Sequence, residues 1–138
     1  MIVAAHSGGY QAAAATVRAG GVDVSELWIL DGLYGMEGDF DAWIAAEHDL
    51  LAGTPRQRRF ADVYTGWAGT LGLSQQMAAR QKPLFAPAAV LDDRTGATLT
   101  PAQYDRALLF KRSGLSHDDV PRYYFRKLLE TSRLPDKS

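Results

Sequence analysis

Short apolar runs alternate along the chain with longer amphipathic segments, and this alternation predicts strands separated by helices. Residues 2–5 are an apolar run with the length of a strand, and residues 26–30, in which one glutamate precedes four apolar residues, are predicted as a buried strand. Between them, residues 10–19 are rich in alanine and end at two glycines, which predicts a helix that can approach a sheet closely. A second helix is expected after Asp39, because apolar side chains recur near helical spacing at Phe40, Trp43, Ile44, Leu50 and Leu51.

The second half of the chain continues the same alternation. Residues 59–65 are predicted as a third strand, and residues 71–82 as a helix that must end before a proline. Residues 83–104 hold three of the six prolines and follow no regular pattern, so we expect an irregular excursion there. Residues 107–111 are a fourth candidate strand, and a final helix with Pro121 in its first turn follows.

Strands separated by helix-length connections predict a parallel sheet covered by helices, because parallel neighbours need connections of that length. We therefore expect an α/β fold with a mostly parallel sheet of about four strands, in a single domain over residues 1–138. In such sheets ligands bind beyond the carboxyl ends of the strands. Ser7, Asp31 and His117 each follow a predicted strand, so we expect these side chains at one rim of the sheet.

The composition fits a soluble globular protein, with 46% hydrophobic and 22% charged residues among 138. The net charge of -1 is spread along the chain and does not indicate a nucleic-acid-binding surface. The one dense basic cluster, formed by Arg56, Arg58 and Arg59, is interpreted as a solvated loop. The absence of cysteine excludes disulfides but leaves the compartment open. No apolar run is long enough to span a membrane and no charged leader precedes Ile2, so the chain as written indicates a cytoplasmic location.

Residues 5–9, with the sequence AHSGG, fit a relaxed nucleophile elbow in which small residues stand two positions before and two positions after the serine. The turn of such an elbow is so sharp that these two positions nearly touch. The N–H of Gly8 would then contact a developing oxyanion. The same glycines are also typical of a simple tight turn, or of anion binding at a helix N-terminus, and this segment alone does not separate the three interpretations.

The order serine, aspartate, histidine, with each residue after a strand, resembles the C-terminal half of an α/β-hydrolase from the nucleophile strand onward. The residues from 116 to 121, SHDDVP, are similar to the catalytic-histidine loop of such enzymes. The resemblance implies a Ser7, Asp31, His117 triad in which His117 is the general base and then the general acid, and Asp31 holds its tautomer. It also implies hydrolysis of a small-molecule ester, or less readily an amide, without a cofactor.

Other carboxylates compete with Asp31 for the role of the acid. The acid of the family more often follows the next strand, but residues 65–70 contain no carboxylate, and an acid in the position of Asp31 is a known variant. Asp62 lies inside a predicted strand, where ion pairing or solvent exposure is expected, and Asp118 is expected to cap the final helix. The alternative role for Asp31 itself is to cap the glycine-rich loop that follows it.

His6 and Tyr34 are the candidate substrate contacts beside the predicted triad. No metal is expected, because His6, His117 and Asp31 lack the spacing typical of a metal site. Two functions from other classes stay open. One is a catalytically silent binding module that keeps the shape of the fold, and the other is a domain that holds phosphate at Ser7 and the following glycines.

The chain departs from the α/β-hydrolase pattern because it begins at the strand of the elbow. The loop that supplies the second oxyanion donor in that family has no counterpart here, and residues 2–5 are left as an unpaired apolar edge. We expect either an N-terminally truncated chain or pairing of this edge with another chain, in a homo-oligomer or with the missing half. Truncation is the interpretation we favour.

Overall fold

The computed structural model describes residues 1–67 and 69–133, in which five strands form one parallel sheet with the order β1-β2-β3-β5-β4. This arrangement confirms the predicted α/β class. The strands are β1 (Ile2–His6), β2 (Glu26–Leu30), β3 (Arg59–Tyr64), β4 (Val90–Asp93) and β5 (Leu108–Arg112). In the part of the chain that the structure describes, no helix combines the length and the apolarity that a membrane crossing requires.

Helices cover both faces of the sheet, because side chains along each strand alternate between two apolar layers. In β2, Leu27 and Ile29 join the layer under α1, α2, α3 and α4, whereas Trp28 and Leu30 join the layer under α5 and α6. The helices are α1 (Tyr10–Ala19), α2 (Glu37–Ala46), α3 (His48–Ala52), α4 (Leu71–Gln81), α5 (Pro101–Tyr104) and α6 (Asp119–Glu130).

The fifth strand corrects the prediction of about four strands. β4 lies in residues 83–104, the segment that was predicted to be irregular, and it pairs with β5 at the edge of the sheet. Only two apolar residues, Val90 and Leu91, precede two aspartates in this strand, so the sequence offers no apolar run of strand length. The strand is defined by its pairing with β5, and the local sequence of β4 cannot predict that pairing.

The opposite edge of the sheet is β1, as expected for residues 2–5. Ala4 is exposed there, and Ile2 and Val3 are half-buried. Because all strands run in the same direction, the segments that follow β1, β2, β3 and β5 emerge at one rim of the sheet. These segments contain Ser7, Asp31 and His117.

The interpretation of the basic cluster as a solvated loop is wrong for two of its three arginines. Arg56 and Arg59 are buried around the carboxylate of Glu26, at the rim opposite to Ser7. Glu26 Oε1 accepts a hydrogen bond from Arg59 Nε at 2.7 Å, and Oε2 accepts one from Arg56 Nη1 at 2.9 Å. Burial lowers the pKa of Arg59 to about 10, which leaves it charged at neutral pH. Only Arg58, which is half-buried, pairs at the surface.

Candidate active site

Ser7 lies in a strained turn between β1 and α1. A single 3-10 turn, Ser7–Gly9, joins the strand directly to the helix, and the backbone φ of Ser7 is +54°. A residue other than glycine adopts this conformation only where the surrounding structure imposes it, and such strain is concentrated at functional sites. A Cβ atom on Gly9 would lie 3.6 Å from the Cβ of Ala5. The positions on either side of the serine are therefore in contact, which explains why both residues are small.

The end of β2 packs directly against this turn. A Cβ atom on Gly32 would lie 3.1 Å from both the backbone N and the backbone O of Ser7, so only glycine fits there without a shift of the backbone. The preceding residue, Asp31, also has a positive φ, at +48°. Two strained residues on neighbouring strands, Ser7 and Asp31, thus lie side by side at the rim.

The carboxylate of Asp31 is fully buried and bound by four donors. Its Oδ2 accepts hydrogen bonds from His117 Nδ1 at 2.6 Å and from Thr65 Oγ1 at 2.8 Å, and its Oδ1 accepts from the N–H of Thr65 at 3.0 Å and from the Thr70 hydroxyl. Burial raises the pKa of Asp31, but the hydrogen bonds from Thr70, His117 and Thr65 outweigh it, and the pKa lies below its ordinary value. An ionised Asp31 can only accept, so the His117 proton is on Nδ1 and Nε2 faces away from the carboxylate.

His117 lies in the loop between β5 and α6, with 28% of its side chain exposed. Its ring packs against the ring of His6 with centroids 4.5 Å apart, and the Tyr34 ring lies roughly perpendicular to it with centroids 6.5 Å apart. The Nε2 atom of His6 also contacts the backbone O of His117 at 3.0 Å, which fits an Nε2–H donor. His6 and Tyr34, the predicted substrate contacts, therefore flank His117, and His6 holds its loop in place.

Ser7 and His117 are connected through the end of β2, where Asp31 binds His117 and the next residue, Gly32, packs against the backbone of Ser7. Within residues 1–67 and 69–133, no hydrogen bond joins Ser7 Oγ to a nitrogen of His117. Catalytic hydrogen bonds are often long in the absence of substrate and shorten when it binds. Gly8, the predicted oxyanion donor, is exposed, and no atom lies within 4 Å of the position that a Cβ would take on it. The space above the turn is thus open to a ligand.

The structure also brings together three side chains that could hold a divalent cation. Ligand atoms of His6, His117 and Asp118 lie within 4.8 Å of one another. Asp31, which residue type alone would allow as a ligand, is not among them. It binds Nδ1 of His117, and in metal sites such a carboxylate orients the histidine without touching the metal. A cation would occupy Nε2 of His117, so metal binding and proton transfer at that atom exclude each other.

Two further aspartates differ from expectation. Asp118 is at the N-cap position of α6 but its side chain makes no capping hydrogen bond, and the Ser116 hydroxyl accepts from the N–H of Asp119 instead. Asp62 is fully buried, and in the described chain no hydrogen bond of regular geometry reaches either of its oxygens. Burial raises its pKa to about 7, with the nearby charge of Asp31 adding to the effect and the Ser74 hydroxyl opposing it. The expectation that Asp62 pairs or faces solvent is therefore wrong.

Asp62→Asn is expected to flatten the pH dependence of the free energy of unfolding between about pH 4 and about pH 7. The folded pKa lies above the unfolded value, so the native state keeps a proton that the unfolded chain releases, and wild-type stability falls as pH rises through this window. Each pH unit within it lowers the free energy of unfolding by up to about 1.4 kcal/mol. Urea unfolding on both sides of the window measures the effect, with the exposed Asp23→Asn as control. Wild-type stability that does not fall would contradict it.

Thr65 and Thr70 are site residues that the sequence analysis missed. They supply three of the four hydrogen bonds to Asp31. The only sequence signal is that two threonines occur in a segment without carboxylates, at the carboxyl end of the strand next to the one that Asp31 follows.

Comparison of the chain with protein-family models, curated proteins and solved structures found no match.

Proposed function

We propose that the protein is a serine hydrolase of the α/β-hydrolase type that cleaves an ester through an acyl-enzyme on Ser7. The observation that supports the proposal most is the hydrogen bond of 2.6 Å between His117 Nδ1 and a buried, ionised Asp31. A histidine held in this tautomer would use Nε2 as the base, and the strained Ser7 lies at the same rim of the sheet, as base and nucleophile do in serine hydrolases. The strained turn at Ser7 supports the same assignment.

The proposed reaction begins with attack of Ser7 Oγ on the ester carbonyl while His117 Nε2 takes the hydroxyl proton. The carbonyl oxygen becomes an oxyanion, toward which the N–H of Gly8 donates. His117 then gives its proton to the leaving alkoxide, the carbon–oxygen bond to the alcohol breaks, and the acyl group stays on Ser7. A water molecule repeats these steps in the second half-reaction and releases the acid.

Asp31 contributes by charge and by orientation. When His117 carries a second proton, the buried carboxylate lies 2.6 Å from the imidazolium and stabilises it in surroundings of low polarity. Thr65 and Thr70 keep that carboxylate ionised, because their hydrogen bonds offset the cost of its burial. No cofactor takes part in these steps.

The second candidate function is a catalytically silent binding module. It is favoured by the absence of a hydrogen bond between Ser7 and His117 in the described residues. For an oxyanion we propose one donor, the N–H of Gly8. Removal of one oxyanion donor lowers the rate of a serine hydrolase by about 10²- to 10³-fold, so an enzyme with one donor would be slow but detectable. The two functions therefore differ in whether Ser7 is nucleophilic at all.

Labelling with a fluorophosphonate tests the proposal. The probe is expected to modify Ser7, as located by mass spectrometry, and the labelling rate is expected to fall by at least about 10³-fold in Ser7→Ala and in His117→Ala. Ser132→Ala, which removes a hydroxyl just after the end of α6, is the matched control. The reaction is run with and without EDTA, because a cation bound to His117 would suppress it.

Absence of labelling in a chain that circular dichroism finds folded would support the silent module and refute the hydrolase. Labelling at a serine other than Ser7 would refute the assigned nucleophile.

A further inference from the structure

A cavity of about 450 Å³ lies at the same rim as Ser7 but over other strands. It is formed by the segments that follow β3, β4 and β5, and Ser7, which follows β1, does not line it. Its walls include Trp67 after β3, Arg94 after β4, and Arg112 at the end of β5. This position beyond the carboxyl ends of parallel strands is the usual position of ligand sites in such sheets.

The cavity lies beside an excess of positive charge. Asp92 pairs with both Lys82 and Arg94, and Asp93 pairs with Lys111. Arg112, by contrast, forms no ion pair with any acidic side chain of residues 1–67 and 69–133. Four cationic side chains are thus opposed by two carboxylates, and the guanidinium of Arg112 is available to a ligand.

Contacts connect this guanidinium to the Asp31–His117 pair. A Cβ atom on Gly66 would lie 3.2 Å from Arg112 Nη2, so the guanidinium rests against the backbone of Gly66. The residue before it, Thr65, binds Asp31 through its N–H and its hydroxyl. The cavity therefore begins at Gly66, the residue after the threonine that binds Asp31.

Trp67 supplies an apolar surface at the mouth of the cavity. Its side chain is 82% exposed, whereas Trp28 and Trp43 are buried in the core. An exposed indole next to an arginine suits a ligand that has both an apolar body and an anionic end.

We propose that this cavity is an anion subsite of the hydrolase, in which Arg112 and Arg94 hold a carboxylate at the far end of an ester whose carbonyl lies at Ser7. A guanidinium binds carboxylate through two parallel hydrogen bonds, and Trp67 packs against the alkyl chain. From β1 to the gap between β3 and β5 the sheet spans about two and a half strand spacings, or about 12 Å. The substrate class is therefore a monoester of a long-chain dicarboxylic acid. This inference rests on the proposed function.

Binding is tested first, without turnover, in Ser7→Ala. Monomethyl sebacate and dimethyl sebacate have the same length and differ by one charge. The monoanion is expected to bind more tightly and to change the fluorescence of Trp67, a signal that Trp67→Phe removes. Arg112→Gln is expected to weaken its binding by about tenfold, whereas Arg122→Gln on the exposed face of α6 removes the same charge without effect. Inorganic phosphate is titrated in parallel, and tighter binding of phosphate than of the carboxylate would overturn the assignment of a carboxylate subsite.

Turnover is tested with p-nitrophenyl monoesters of dicarboxylic acids from succinate to sebacate, beside neutral esters of equal length. The ratio of kcat/KM for charged and neutral esters is expected to rise with chain length, and to fall by about tenfold in Arg112→Gln but not in Arg122→Gln. Equal ratios in both variants would overturn the subsite and leave the hydrolase standing. Binding that depends on Arg112, in a protein that hydrolyses no ester, would support the anion site and refute the hydrolase.

Discussion

Asp31→Asn is expected to lower kcat/KM on an ester by about 10⁴-fold while the chain stays folded. The asparagine oxygen can still accept from Thr65 and Thr70, which turns the amide NH₂ toward His117 Nδ1. A donor at that position selects the tautomer with its proton on Nε2, and that nitrogen can no longer take the proton of Ser7. The loss therefore arises from the tautomer of one histidine rather than from a change of fold.

The comparison that isolates this effect is Asp118→Asn. It removes a carboxylate next to His117 in the same loop, but this residue is exposed and makes no hydrogen bond to the His117 ring in the described structure. We expect its kcat/KM to stay near that of the wild type. Nitrogen chemical shifts of the imidazole report the tautomer directly, and thermal unfolding checks the fold. Full activity in Asp31→Asn would contradict the proposed role, and loss of activity in Asp118→Asn alone would indicate that hydrolysis depends on a cation held by His6, His117 and Asp118 and not on proton transfer at His117.

The parts of the fold that sequence predicts are those with a strong local signal. β2 and α1 have the predicted bounds, because four consecutive apolar residues after Glu26 and an alanine-rich segment before two glycines are strong local signals. β4 was missed, since Val90 and Leu91 are too few apolar residues to indicate a strand, and its pairing with β5 is a tertiary effect.

In the candidate site, too, some features could be predicted from the sequence and others could not. The order of Ser7, Asp31 and His117 placed all three residues after strands, and parallel strands share a rim, so their proximity could be predicted. The hydroxyls around Asp31 could not be predicted, because Thr65 and Thr70 are ordinary residues until their distances to a buried carboxylate are known.

Charge was the least predictable property. Arg56 and Arg59 are in a basic stretch that is typical of a surface loop, and their partner lies about thirty residues earlier in β2. The available signal was Glu26 itself, a charged residue that begins an otherwise apolar, central strand and therefore needs a buried partner.

Glu26→Ala is expected to lower the free energy of unfolding by about 3–5 kcal/mol. The substitution leaves two buried guanidinium groups, those of Arg56 and Arg59, without their shared carboxylate. Carbonyl oxygens of Tyr104 and Leu128 still accept from Arg59, but they carry no full charge and do not replace the anion. Urea unfolding at neutral pH measures the loss, which is expected to equal a large part of the stability of a domain of this size.

Burial of the ion pair, rather than its existence, is the cause of this large effect, and Asp23→Ala tests that distinction. Asp23 pairs with Arg58 at 2.7 Å, but its side chain is 69% exposed, so its removal is expected to cost no more than about 1 kcal/mol. Replacement of Glu26 and Arg59 by apolar residues, as in Glu26→Leu with Arg59→Met, is expected to recover part of the loss, because the only guanidinium that then loses Glu26 is that of Arg56, which keeps Asp105 at 2.8 Å. Equal losses of unfolding free energy in Glu26→Ala and Asp23→Ala would mean that water reaches Glu26. The hydrogen bonds from Arg59 to Glu26 and to Leu128 at the end of α6 would then not be shielded from solvent as the structure describes them.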